Sequence, residues 1–72
     1  MSKPTFYNWL QQQVDRDDRI GDLAKDVRRD QNFERHSEEI EVACDYLDSN
    51  GYHFAASAAL EEAWDEWEAE RR

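Results

Sequence analysis

Ile20-Gly21-Asp22-Leu23-Ala24-Lys25-Asp26-Val27 places its apolar side chains at i, i+3, i+4 and i+7. That spacing lines one face of a helix with 3.6 residues per turn and does not fit a strand. Asp17 or Asp18, just upstream, can accept from the exposed N–H groups that open such a helix. Gly21 is the weak point, costing up to about 1 kcal/mol of helix stability relative to Ala. Working outward, the same period recurs on both sides. Phe6, Trp9, Leu10 and Gln13 share a face, with Val14 at its edge and Thr5, after Pro4, as the N-cap. Ser37 is the expected cap of a third helix, with Glu38 and Glu39 in its first turn, where the helix dipole favours acids. Its inner stripe is Ile40, Ala43, Cys44 and Leu47, and Asn50-Gly51 ends it, because Gly can adopt the left-handed conformation of a C-cap. The last helix is expected from about His53 to the end, with Ser57, Leu60, Trp64 and Trp67 on one face, Ala56 and Ala63 beside them, and Arg71 and Arg72 at its negative pole. No segment alternates with period two and no repeat is visible. The predicted class is all-α, a small bundle of four or five short helices, in a single domain over residues 1–72.

Length and composition limit what such a bundle can be. The chain has 72 residues, 39% of them apolar and 12% aromatic, too many for a disordered acidic tail. A domain of this size hides only around 60% of its unfolded surface. Phe6, Trp9, Phe33, Tyr46, Phe54, Trp64 and Trp67 are therefore expected to supply much of the burial. Each Trp is read as core, the alternative being an aromatic anchor for a partner. No apolar run approaches the roughly 18–20 residues that a bilayer requires, so no membrane role is expected. Met1-Ser2-Lys3-Pro4 does not lead into the apolar stretch of a signal peptide. One Cys cannot form an internal disulfide, which fits a cytoplasmic location.

The charge is unevenly spread. Residues 1–36 balance seven bases against seven acids; residues 37–72 hold eleven acids and only Arg71 and Arg72, so the whole net charge of −9 lies in the second half. Glu62, Glu66 and Glu70 recur every four residues with Asp65 beside them, a ladder whose like charges repel. It reads either as a solvated face or as an acidic surface for a basic partner; on the last helix only Glu68 has an obvious cationic partner four residues on, Arg72. In the second helix Asp22 and Asp26 stand three residues before Lys25 and Arg29 and are expected to pair with them.

Sites of chemistry are sparse. Asp15-Arg16-Asp17-Asp18-Arg19-Ile20-Gly21 starts like a calcium loop, then puts Arg19 where an oxygen ligand belongs and Ile20 where the turn needs Gly. His36, His53 and Cys44 have no metal-ligand spacing. Cys44 reads as a small buried thiol and His53 as a partly buried structural imidazole. There is no phosphate-binding glycine loop, and so short a chain has little room for a cavity that shifts a catalytic pKa. No catalytic, metal or cofactor residues are predicted, and no enzyme activity. Val42 and Tyr46 form a second apolar row on the third helix: either that helix is covered on two sides, or the row faces outward as a binding patch.

Phe6-Tyr7-Asn8-Trp9-Leu10 resembles the FYxYL opening of the YozE-like family, small bacterial proteins whose helical fold is similar to the sterile alpha motif. The similarity continues in order. Asp18-Arg19-Ile20 and Leu23-Ala24 match DxI and FA; Asp30 and Phe33 match DxxF. Ser37, Tyr46-Leu47 and Asn50 match the spaced Ser, Tyr-Leu and Asn, and Glu62-Ala63-Trp64 with Trp67 matches EAWxxY. Glu34-Arg35 stands where the family usually has Pro-Lys. His53 replaces a usual aromatic, Ser57 and Leu60 replace larger apolar residues, and Arg stands where relatives often carry Lys. The resemblance implies a sterile-alpha-motif-like fold; the family is one of uncharacterised proteins, so no activity, cofactor or binding residue carries over.

The expected function is a non-catalytic, acidic interaction module of bacterial or phage origin that binds a protein partner, as a monomer or weak homo-oligomer. Its candidate contact residues are Val42, Tyr46, Glu62, Asp65 and Glu66. A nucleic-acid-binding module is the alternative, using Arg16, Arg19, Arg28, Arg29 and Arg35, and is disfavoured by the net charge. A DNA mimic that uses the acidic ladder to inhibit a DNA-binding protein is the third reading.

Overall fold

The computed structural model describes residues 4–71. Among these, four α-helices and one 3-10 turn follow in the order α1 (Phe6–Gln11), α2 (Arg19–Arg28), the 3-10 turn (Phe33–His36), α3 (Ile40–Ser49) and α4 (Phe54–Arg71), with no strand. The side chain of Arg71 and the proposed partner of Glu68, Arg72, lie outside the described residues.

The helix starts follow local capping chemistry. The Thr5 hydroxyl accepts from the Asn8 N–H at 3.2 Å, opening α1. α1 ends at Gln11 rather than continuing to Gln13 and Val14. Instead, Gln13 donates its side-chain amide to the Trp9 carbonyl at 3.0 Å, a second donor there beside the Gln12 N–H, also at 3.0 Å, as the chain leaves the helix toward α2. Asp18 caps α2 by accepting from the Gly21 N–H at 3.0 Å. Ser37 does not cap α3. Its hydroxyl donates backward to the Glu34 carbonyl at 2.7 Å, closing the 3-10 turn, and α3 begins three residues later behind Glu39, without a side-chain cap. At the other end, Gly51 has φ +77° and the Tyr52 N–H reaches the Leu47 carbonyl at 3.2 Å, the paired signs of a Schellman stop.

Apolar stripes from all four helices meet in one interior. Phe6, Leu10, Ile20, Val27, Phe33, Leu47 and Leu60 are its most completely buried large side chains. At one end α1 lies against the C-terminal half of α4, where the Phe6 ring stands 4.6 Å from Trp64 and 5.7 Å from Trp67, centroid to centroid. Each buried indole also places its N–H: Trp9 on Glu70 at 2.7 Å, Trp64 on Glu68 at 2.6 Å, Trp67 on the Pro4 carbonyl at 3.1 Å. Burying an indole without such a partner would leave a costly orphan donor. Ile40 and Cys44, expected inside, are only partly buried at the flank of the core.

Two residues at the start of α4 overturn their expected burial. Phe54 is 83% exposed, and His53 is exposed as well. The Schellman turn before them points the chain outward: the His53 ring lies tilted against Phe54 with centroids 4.3 Å apart, and its Nδ1 accepts from the Ala55 N–H at 3.1 Å. His53 therefore acts at a helix start in water, not in the core. Gly21 is the reverse case. It is buried where α2 crosses the preceding loop, and a Cβ there would stand 2.0 Å from the Arg16 carbonyl oxygen.

Candidate interaction surface

The loop between α1 and α2 folds back along α4 and carries Arg16, and Arg19 follows as the first residue of α2. Arg16 donates to Glu66 at 2.9 Å and also to Asp18 at 2.8 Å; Arg19 pairs with Glu62. Glu70, one turn further, accepts from Trp9. The three rungs of the acidic ladder thus face α1 and its loop, and the charges of Glu62 and Glu66 are met from within the molecule. Hydrogen bonds from Arg16 to Glu66 and then Asp18 hold its guanidinium more firmly in the charged form. The Gly21 N–H, followed by Arg16, holds the Asp18 carboxyl below the usual carboxylate range. Asp65, beside the ladder, is exposed. The ion pairs among the described residues cross between elements or lie in this loop; none joins Asp22 to Lys25 or Asp26 to Arg29 along α2. Exposed pairs along a helix gain only a few tenths of a kcal/mol, about what fixing two long side chains costs.

Tyr46 and Val42 do not form one outward row. Val42 is 42% exposed, whereas Tyr46 is partly buried, between Phe33 with centroids 6.0 Å apart and His36 at 4.5 Å. The Tyr46 hydroxyl lies 2.7 Å from both oxygens of Asp30. Tyr52, brought round by the Gly51 turn, donates to the same carboxylate at 2.9 Å, and the Asn32 N–H donates at 3.0 Å. This cluster ties the end of α2 to both ends of the turn after α3. Burial works against the Asp30 charge, but the Tyr46 and Tyr52 hydroxyls and the backbone N–H groups outweigh it, and the carboxyl sits below its ordinary value. Burial, then the bond to Asp30, pushes the Tyr52 phenol well up; the bond to Asp30, then burial, raises Tyr46. A carboxylate so supplied with donors is a structural acceptor and a poor proton acceptor for chemistry. Sequence reasoning met Asp30 and Tyr46 only as separate landmarks; their 16-residue separation carries no local signal. Burial and the neighbouring Glu61, Asp48 and Asp45 push the Cys44 thiol up, away from the reactive thiolate.

Of the five arginines considered for nucleic acid, Arg16 and Arg19 are engaged by Glu66 and Glu62. Arg28 and Arg29 at the end of α2 and Arg35 in the 3-10 turn are exposed. Among the described residues, no group of three or more His, Cys, Asp or Glu is placed to hold a metal ion, and no helix is long and apolar enough to cross a membrane.

A further surface feature is a groove of about 200 Å³ between α2 and the first turns of α4. Leu23, Ala56 and Ala59 provide its apolar wall; Asp22 and Asp26 stand on its α2 side and His53 at its α4 end. Alanines at 55, 56 and 59 let the wall lie low, and Phe54 projects into solvent at the head of the same helix. Binding sites for whole small molecules are typically about 300–1,000 Å³. This groove is the size of one large side chain.

Bundle, capped turns and aromatic end together define a small helical protein of sterile-alpha-motif-like architecture. Residues 5–69 match the family described as the YozE SAM-like fold, and the chain belongs to that family. A curated relative is the UPF0346 protein SSP1318 of Staphylococcus saprophyticus, 22% identical over 67 residues, which cover 93% of this chain and 92% of the relative. No solved structure matches significantly.

Proposed function

We propose that the protein is a non-catalytic interaction module that binds a protein partner through the end of the bundle where α4 begins. The observation that carries this reading is Phe54: a large apolar ring left 83% exposed beside an apolar groove, forgoing about 1.5–3 kcal/mol that burial would return. A partner that covers the ring recovers that energy without rearranging the core. The acidic ladder contributes less to this reading than its sequence suggested, because Glu62 and Glu66 are already paired. The same pairing weakens DNA mimicry. It also weakens the nucleic-acid reading, which loses Arg16 and Arg19 and keeps only Arg28, Arg29 and Arg35 against a net charge of −9.

Affinity purification from a lysate of the source organism at low salt tests the proposal. The expected result is a stoichiometric protein partner retained by the wild type and lost with Phe54→Ala, while the variant keeps its helical circular dichroism. Recovery of no protein by the wild type overturns the reading. A mobility shift of nucleic acid at tens of micromolar protein would replace it with the nucleic-acid module.

A further inference from the structure

Resting on the reading of a protein-binding module, we propose the chemistry of its partner: the groove between α2 and α4 takes one apolar side chain of a basic amphipathic helix, whose lysines or arginines meet Asp22 and Asp26. Three observations lead there. The groove combines an apolar wall of Leu23, Ala56 and Ala59 with two carboxylates one helical turn apart on its rim. Neither carboxylate is in an ion pair among the described residues, whereas Arg19, at the same groove, is held by Glu62. The unmet charge at the groove is therefore negative, as is the whole chain at −9. Volume supplies the second constraint. About 200 Å³ admits a leucine- or phenylalanine-sized group and not a cofactor. Phe54, which lies in sequence between the groove residues His53 and Ala55, extends the apolar contact beyond the groove. An amphipathic helix lays side chains at i, i+3, i+4 and i+7 into such a surface and carries its cations on the flanks. Complementary charge at the rim steers the encounter and fixes the orientation.

The test uses the intact protein and a fluorescein-labelled lysine- and leucine-rich helical peptide of about 15 residues, long enough to form a helix on contact. Its glutamate-for-lysine counterpart is the control. Amide resonances are followed by two-dimensional NMR and affinity by anisotropy. The expected result is shifts confined to residues 19–26 and 53–60, no binding of the acidic peptide, and affinity about tenfold weaker with Asp22→Asn plus Asp26→Asn. Because Asp22 also lies in the first turn of α2, Ala56→Phe serves as a second variant: it fills the groove at unchanged charge and is expected to weaken binding while amide dispersion is kept. Shifts spread along residues 61–70, or affinity indifferent to both variants, would show charge attraction alone and overturn the proposal. Failure of the basic peptide to bind, with a lysate partner still captured through Phe54, would overturn this inference and leave the protein-binding reading standing.

Discussion

Replacing Gly21 by Ala sets helix propensity directly against tertiary packing. Within an isolated helix the change is favourable by about 1 kcal/mol. Here the added Cβ would stand 2.0 Å from the Arg16 carbonyl oxygen, 2.7 Å from the Arg16 carbonyl carbon and 3.0 Å from Arg16 Cβ. Carbon needs about 3.5 Å, so the loop must retreat by roughly 1.5 Å. Two of these atoms are backbone and cannot rotate aside. Overpacking of this kind costs about 1–3 kcal/mol, and so hard a contact belongs at the upper end. The displaced loop also carries Arg16 and the Asp18 cap that holds the Gly21 N–H itself; losing a cap costs about 1 kcal/mol. Three plus one, less the propensity gain of one, leaves a destabilisation of about 3 kcal/mol. A domain of this size has only about 4–11 kcal/mol in total, and its Tm should fall by roughly 12–24 °C. Urea unfolding, read by fluorescence of the buried tryptophans and by circular dichroism, measures the change. The matched control is Gly51→Ala, where nothing lies within 4 Å and only the left-handed backbone is at stake, costing about 1 kcal/mol. A Gly21→Ala protein as stable as the wild type, or more stable, would refute the close approach of loop and helix.

The two phenylalanines outside α1 should behave oppositely: Phe33→Ala, fully buried, is expected to cost about 3–5 kcal/mol, and Phe54→Ala to stay within about 0.5 kcal/mol in the same denaturation experiment. Tyr52→Phe removes a donor from the Asp30 carboxylate and should cost about 1.5–3 kcal/mol at neutral pH. Stability measured across pH follows the same cluster. Asp30 has a lowered folded pKa, so its contribution is complete above its ordinary value of 3.8 and is lost as pH falls through the folded value. Tyr52 has a raised one, so its contribution is complete below 10.0 and is lost as pH rises toward the folded value. Asp30→Asn should flatten the acid limb and Tyr52→Phe the alkaline limb; unchanged profiles would contradict the cluster. Arg16→Ala should cost about 1 kcal/mol or less, its partners being partly exposed, and the loss should shrink in high salt as double-variant comparison with Glu66→Gln would show.

What one sequence determines about this protein is what depends on neighbours three or four residues apart. The stripe Ile20–Leu23–Ala24–Val27, the Thr5 cap, the Gly51 stop and the inward faces of Trp64 and Trp67 all follow from helical periodicity and local hydrogen bonding, and each stands where that reading put it, while of the two aspartates offered as the α2 cap it is Asp18 that takes the place. Ser37 marks the limit even there: two local structures competed for one hydroxyl, and the 3-10 turn took it. Tertiary structure alone decided the sign of Gly21, the capture of Glu62 and Glu66 by arginines some 40–50 residues away, and the meeting of Tyr46 and Tyr52 on Asp30. It also turned Phe54 out into water, though its composition and place in the chain promised burial. These depend on how the helices cross, and crossing is fixed by the summed packing of all four faces, a quantity that no short window of residues contains.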